Sequence, residues 1–190
     1  MNILLDGLPR AIGVAGQTID INADYQTGLR IITAYEDPEL TIQEKHIVMI
    51  KLLYKQPPAD MQEAIIQGVK YLNSGEGGES EGGESPSGRK YSFSFDAGWI
   101  YAGVDRVLGG KLSRGEFVHW WVFYTAFMDL PEDCMMSRIL YLRAQHEKGK
   151  LSKEERQQWA ASRKILELPA ELTQEDYDVQ TEFMRLLNGG

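Results

Sequence analysis

Residues 74–88 read SGEGGESEGGESPSG, with six Gly, four Ser, four Glu and one Pro among fifteen residues. Such a stretch has no apolar side chain to bury and reads as flexible. Any fold must therefore be assembled from residues 1–73 and from those that follow the run. The first part offers a hairpin and three short helices, which alone make a marginal core. The run is thus read as a loop, residues 74–89, within a single mainly helical domain spanning 1–190, with 170–190 as a C-terminal helical extension. The recurring GGES is low complexity and not a structural repeat.

Before the loop, AIGVAGQTIDI at 11–21 alternates around Ala15-Gly16-Gln17, the pattern of a small β-hairpin. Asn22 or Asp24 can cap a helix carrying Tyr25, Leu29, Ile32 and Tyr35. Thr41-Ile-Gln-Glu44 is a capping box, in which two side chains satisfy the orphaned amides of a helix start. The helix it opens carries Ile42, Met49, Ile50 and Leu53, and Pro57-Pro58 stops it. Asp60 and Glu63 start the next, with Met61, Ile65, Val69 and Leu72 on one stripe.

After the loop, Tyr91-Ser-Phe-Ser-Phe95 alternates and is read as a short strand. Asp96 is positioned to cap a helix bearing Trp99, Ile100, Val104 and Leu108. Ser113-Arg-Gly-Glu116 reads as a further capping box, opening the apolar run FVHWWVFYTAFMDL. Pro131 begins a helix through Met135, Ile139 and Leu142, and Ser152 to Glu155 caps another with Trp159 and Leu166. Thr173 opens a last helix with Tyr177, Phe183 and Leu187. The expected fold is mainly α: a compact bundle of about eight helices with a small N-terminal β-hairpin and a long flexible loop.

Composition narrows the function. The chain carries 20 Lys and Arg against 28 Asp and Glu, a net charge of −8, spread evenly. No block is basic enough to follow a row of phosphates, so nucleic acid is not an expected partner. The longest apolar stretch, residues 120–128, is about half the ~20 residues of a spanning helix, and the N-terminus lacks the basic, then apolar, pattern of a signal peptide. No membrane is expected, and a soluble protein of a reducing cytoplasm is.

Chemistry is sparse. The glycines at 75–88 sit among glutamates and lack the Lys-Ser/Thr of a phosphate loop. His46, His119 and His146 are far apart in sequence, and none has a metal-ligand partner at working spacing. His119 lies three residues after Glu116 and reads as hydrogen-bonded to it across one helical turn. Cys134 stands near a helix start beside Asp133, which argues against a reactive thiolate. No catalytic residue, cofactor or metal is expected, and the chain is not read as an enzyme. Core packing is the first reading of the aromatic run around Trp120, and a protein interface the second, because Trp and Tyr are frequent anchors. On that second reading the candidate partner-binding residues are Trp120, Trp121 and Tyr124; the amphipathic last helix either folds back on the chain or docks into a partner, and in the latter case adds Tyr177, Phe183 and Leu187.

The motifs then form a recognisable order: ILLDGLP at 3–9, IDINADYQTGLR at 19–30, DPELTIQEK at 37–45, KYSFSFDAGWIYAGV at 90–104, LSRGEFVHWWVFYTAF at 112–127 and SRILYLR at 137–143. Over roughly residues 3–169 the chain resembles the bacteriophage gene-product-fifteen family, encoded in the tail gene region of phages and prophages. It departs at Asp24-Tyr25-Gln26, where relatives more often read Asp-Phe-Arg, and in its longer tail after Pro169. The resemblance implies a non-enzymatic role in building a long tail, as a chaperone that binds and solubilises the tape-measure protein. Other tail proteins and further copies of the same chain are implied as additional partners, and the cytoplasm of the infected or lysogenic host as the location. The first alternative is a structural tail or connector component retained in the virion, and the second, ranked below it, is a small enzyme using His119 or Cys134.

Overall fold

The computed structural model describes residues 3–74 and 90–168. The element order is α1 (Ile3–Asp6), β1 (Ala11–Val14), β2 (Gln17–Asp20), α2 (Tyr25–Glu36), α3 (Ile42–Leu53), α4 (Met61–Leu72), α5 (Ala97–Val107), α6 (Trp120–Met128), α7 (Met135–Glu147), α8 (Lys153–Ala161) and α9 (Arg163–Leu166). The fold is mainly helical with one small hairpin. The expected last helix, from Thr173, lies outside the described residues.

In the hairpin, Ala11 pairs with Asp20 and Val14 with Gln17, antiparallel. Ala15 and Gly16 between them both have positive φ, 50° and 76°, as the two-residue turn matched to strand twist requires. The Glu63 carboxylate of α4 accepts the Ala15 amide at 2.8 Å and ties the turn to the helices.

Three predicted helix starts form from local chemistry alone. Thr41 with Glu44 and Ser152 with Glu155 make complete capping boxes, and Asp60 accepts from the Glu63 amide. Asp24 caps α2 through the Thr27 amide. The main core then draws side chains from both sides of the 75–89 segment: Ile31, Met49, Leu53 and Ala64 before it, Ile100, Val104, Trp120 and Phe123 after it. A smaller cluster of Ile139, Leu142, Leu151 and Leu166, with Trp159 against it, joins α7 to α8 and α9.

Four local readings are corrected by the structure, the first two by longer-range contacts. Residues 91–95 form a turn instead of a strand. Glu36, the last residue of α2, accepts from the Ser92 hydroxyl at 2.6 Å and the Phe93 amide at 2.9 Å, and Asp96 accepts the Ser92 amide at 3.0 Å. These amides are satisfied by carboxylates, so no partner strand is needed. Ser113 to Glu116 is likewise a turn and not a helix start, with Gly115 at φ 67°. The Asp105 carboxylate accepts the Leu112 and Ser113 amides. The chain then runs extended against the start of α2, with Tyr25 N–H donating to Val118 and Trp120 N–H to Ala23, which delays α6 to Trp120. Pro131 precedes α7 by a turn, and Cys134 is its cap. The helix expected to hold both Trp159 and Leu166 breaks at Ser162 into α8 and α9.

Asp96 does stand at the start of α5, yet its side chain makes no cap bond. Both of its oxygens meet Arg143 of α7, at 2.7 and 2.9 Å, in a pair only 1% and 6% exposed. Arg143 also donates to the carbonyls of Lys90, Ile165 and Leu166. All five N–H groups of a guanidinium are thereby used, and one side chain joins the end of the 75–89 segment, α5, α7 and α9.

Candidate functional site

A groove of about 510 Å³ opens where α2, α5 and α6 meet, lined by Tyr25, Gln26, Leu29, Arg30, Phe93, Ala97, Gly98, Ile100, Tyr101 and Phe123. Phe93, Ile100 and Phe123 are buried at its floor. Tyr25 stacks on Phe123, with ring centroids 5.1 Å apart and planes 14° apart. Ala97, Gly98 and Tyr101 form an exposed lip on α5, and Gln26 and Arg30 are exposed on the α2 side. The groove is thus apolar inside, polar at one edge, and carries a cation there. A side chain added at Gly98 would meet nothing within 4 Å, so the lip is open.

This placement follows from the fold. Residues 25 and 29 share a face of α2, with 26 and 30 on the face beside it, and residues 97, 100 and 101 share a face of α5. The first turn of α5 is fixed by the Asp96–Arg143 pair, and the Phe93 turn by Glu36. A smaller groove of about 320 Å³ lies beyond that turn, lined by Lys90, Arg143, His146, Glu147, Trp159, Leu166, Glu167 and Leu168. In it His146 stacks on Trp159 at 3.9 Å.

Of the residues named from sequence, Trp120 and Trp121 are both buried in the core, 1% and 6% exposed. Their indole N–H groups donate to the carbonyls of Leu72 and Tyr71, at 2.8 and 2.7 Å. They thereby satisfy the end of α4, the last described helix before the 75–89 segment. Tyr124 is half-buried and packs on Trp120 at 5.7 Å. Tyr177, Phe183 and Leu187 lie outside the described residues. The sequence pattern does not mark the groove residues Tyr25, Leu29, Phe93, Ile100 and Tyr101 as a site. The one signal pointing to them is the small pair Ala97-Gly98 opening a helix otherwise rich in large apolar side chains.

His119 is not bonded to Glu116, which pairs with Arg114 instead. It caps α6: Nδ1 accepts the Trp121 amide at 3.1 Å, and Nε2 is 2.8 Å from the Pro9 carbonyl. Nδ1 is the acceptor, so the proton sits on Nε2 and is donated to Pro9. Burial pushes the His119 pKa below its ordinary value, and Arg10 adds to this, against the opposing Pro9 bond. His46, half-buried near Tyr35, is lowered by burial alone.

Both shifts give one sign. Below pH ~6.5, the unfolded value of histidine, the unfolded chain binds more protons than the folded one. Stability is complete above that pH and declines toward the lower folded pKa values. The urea midpoint is expected to drop between pH 7 and pH 5. The drop is expected to shrink in His119→Asn, which keeps an acceptor at the cap; an unchanged slope would show that His119 does not titrate with unfolding.

Cys134 is buried, with Sγ at 3.2 Å from the Ser137 hydroxyl. Among the described residues no group of three or more His, Cys, Asp or Glu is arranged to hold a metal ion, and no helix is long and apolar enough to cross a membrane.

Residues 4–168 match the sequence profile of the family described as bacteriophage Gp15 protein. No curated protein matches the chain, and no solved structure does. The profile spans the hairpin, every helix that lines the groove, and the Arg143 junction. The chain belongs to the bacteriophage Gp15 family.

Proposed function

We propose that this phage protein is a non-enzymatic tail assembly chaperone, which binds and solubilises the tape-measure protein during long-tail assembly in the cytoplasm of the infected or lysogenic host. The observation that carries this reading is the open apolar groove between α2, α5 and α6 in a chain of a bacteriophage family. A tape-measure protein is long, helical and apolar on one face, and aggregates unless that face is covered before the tail tube surrounds it. A helix laid in a groove uses anchors at i, i+3, i+4 and i+7, and a floor of Phe93, Ile100 and Phe123 suits two or three such anchors. The net charge of −8 keeps the resulting complex soluble.

The open lip at Gly98 supplies a discriminating variant. Gly98→Glu places a carboxylate at the groove mouth without a clash. It also replaces glycine near a helix N-terminus, where an acidic residue is favourable. The variant is expected to be at least as stable as the parent and to lose the partner. Quantitative mass spectrometry of complexes captured from an induced culture is expected to show tape-measure protein with the parent chain and at least tenfold less with Gly98→Glu. Purified virions are expected to lack the chain. Its presence in virions at fixed copy number would replace the chaperone with a structural tail component.

A further inference from the structure

We infer that Arg30 decides which helices the groove between α2, α5 and α6 accepts: amphipathic ones whose apolar stripe is flanked by an Asp or Glu that meets its guanidinium. This deepens the chaperone reading and rests on its helix-in-groove contact. Among the described residues that line the groove, Arg30 alone is charged. Its polar neighbour is Gln26, one turn earlier on α2, and the other lining side chains are small, aliphatic or aromatic. Arg30 is exposed, and among the described residues its guanidinium enters no ion pair.

The carboxylates around the groove are committed elsewhere. Asp24 and Glu36 each stand six residues from Arg30, beyond the i+3 and i+4 contacts that a helix surface allows. Asp24 accepts from the Thr27 amide and hydroxyl, and Glu36 holds the Ser92 to Phe93 turn. On the α5 side Asp96 is turned to Arg143, and Asp105 to the Leu112 and Ser113 amides. In a chain of net charge −8, the groove therefore presents a cation beside an apolar floor.

A helix that fills the groove removes water from both. Its apolar anchors gain from cover against Phe93, Ile100 and Phe123. The guanidinium loses part of its solvent, which costs free energy unless the occupant supplies an acceptor. A carboxylate beside the stripe replaces that water with a charge-assisted, two-pronged bond, and a lysine there adds repulsion. The floor sorts occupants by size and hydrophobicity, so the charge at the rim supplies the register.

The test titrates the full chain with synthetic peptides of about fifteen residues, each with leucines at i, i+3, i+4 and i+7. The peptides differ in the residues flanking that stripe, either glutamate or lysine. Compensating charges on the far face give both the same net charge, which removes any general attraction to an acidic protein. Amide shifts of residues 25–30 and 97–101 report binding in the groove. The glutamate peptide is expected to bind about tenfold tighter than the lysine peptide, and Arg30→Glu to reverse that order. The gap is expected to narrow as added salt screens the rim charge. Arg30→Glu is expected to unfold at the same urea concentration as the parent, because the side chain is exposed and unpaired among the described residues. Equal affinities in the parent, with the groove amides shifting, would overturn the role of Arg30 and leave the chaperone reading standing. A glutamate preference that survives Arg30→Glu would overturn it too, since the charge would then be read elsewhere. If neither peptide shifts the groove amides, this inference and helix-in-groove binding both fall, whatever the tape-measure capture recovers.

Discussion

Arg143→Met is expected to cost about 3–5 kcal/mol, the usual loss when one member of a buried ion pair is removed and the other charge is left uncompensated. This is a large share of the 5–15 kcal/mol that holds a typical domain together. The geometry places the loss in the upper half of that range. Asp96 would stay buried with one amide donor, from Ser92, and the carbonyls of Lys90, Ile165 and Leu166 would each lose a charged donor. Arg143→Lys is expected to rescue only part of the loss, because an ammonium has three donors and cannot reproduce the planar fork. The double variant Arg143→Met with Asp96→Leu should recover the charge penalty but not the three carbonyls, and so fall between single variant and parent. Urea unfolding of the four proteins measures this. A loss below about 1 kcal/mol in Arg143→Met would show that the junction is dispensable. Because the same pair fixes the first turn of α5, the proposed groove-binding role adds that a folded Arg143→Lys protein captures less tape-measure protein without contacting it.

That junction marks where the sequence stops being legible. Asp96 stands before an apolar helical stripe and looks like a cap, yet its carboxylate is turned to a residue 47 positions away. Thr41, Asp60 and Ser152 occupy the same kind of position and do cap their helices. Nothing distant competes with them there, so three-residue spacing is enough to read them. Ser113 has the same motif as Thr41 and fails, because the segment before Trp120 pairs with residues 23–25 of a different element. The alternation at 91–95 fails similarly, since Glu36 takes amides that a strand would offer to a neighbour. Local chemistry decides an element until a remote carboxylate or strand-like segment makes a better bond.

The groove was harder to read for the same reason. Its lining comes from residues 25–30 of α2, the contiguous stretch 93–101 that enters α5, and Phe123 of α6, so no short window of sequence contains the whole groove. The aromatic run was conspicuous in sequence because Trp120 and Trp121 are adjacent, but adjacency on a helix points the two rings to different sides of the core. The accessible apolar surface belongs to residues such as Tyr25 and Tyr101, each ordinary in its own helix. The groove is made of faces left over after the core is filled, and that is a property of the packing.

Gly28→Ala is expected to destabilise the protein by about 1–3 kcal/mol, the usual cost of forcing extra volume into a packed core, although the same change in an open helix position stabilises by up to about 1 kcal/mol. A Cβ at position 28 would overlap Cδ2 and Cε3 of the Trp120 indole and lie 3.0 Å from Cγ. The indole has no room to retreat. Its Nε1 is held by the Leu72 carbonyl at 2.8 Å, and its ring packs against Phe123 at 5.9 Å and Tyr124 at 5.7 Å. The clash must therefore be relieved by moving α2 away from α6, which also opens the Tyr25–Phe123 stack at the groove wall. Trp120→Leu removes the obstructing ring, so the two substitutions should couple: Gly28→Ala is expected to cost at least 1 kcal/mol less in the Trp120→Leu background than in the parent. Additive losses would place the strain somewhere other than this crossing. Gly98, in the first turn of α5, supplies the control, since its missing Cβ faces open space and substitution there should raise stability while blocking the groove. Two helical glycines are thus predicted to respond with opposite signs, and the sign at each is set by whether the space beside it is filled by Trp120 or left open.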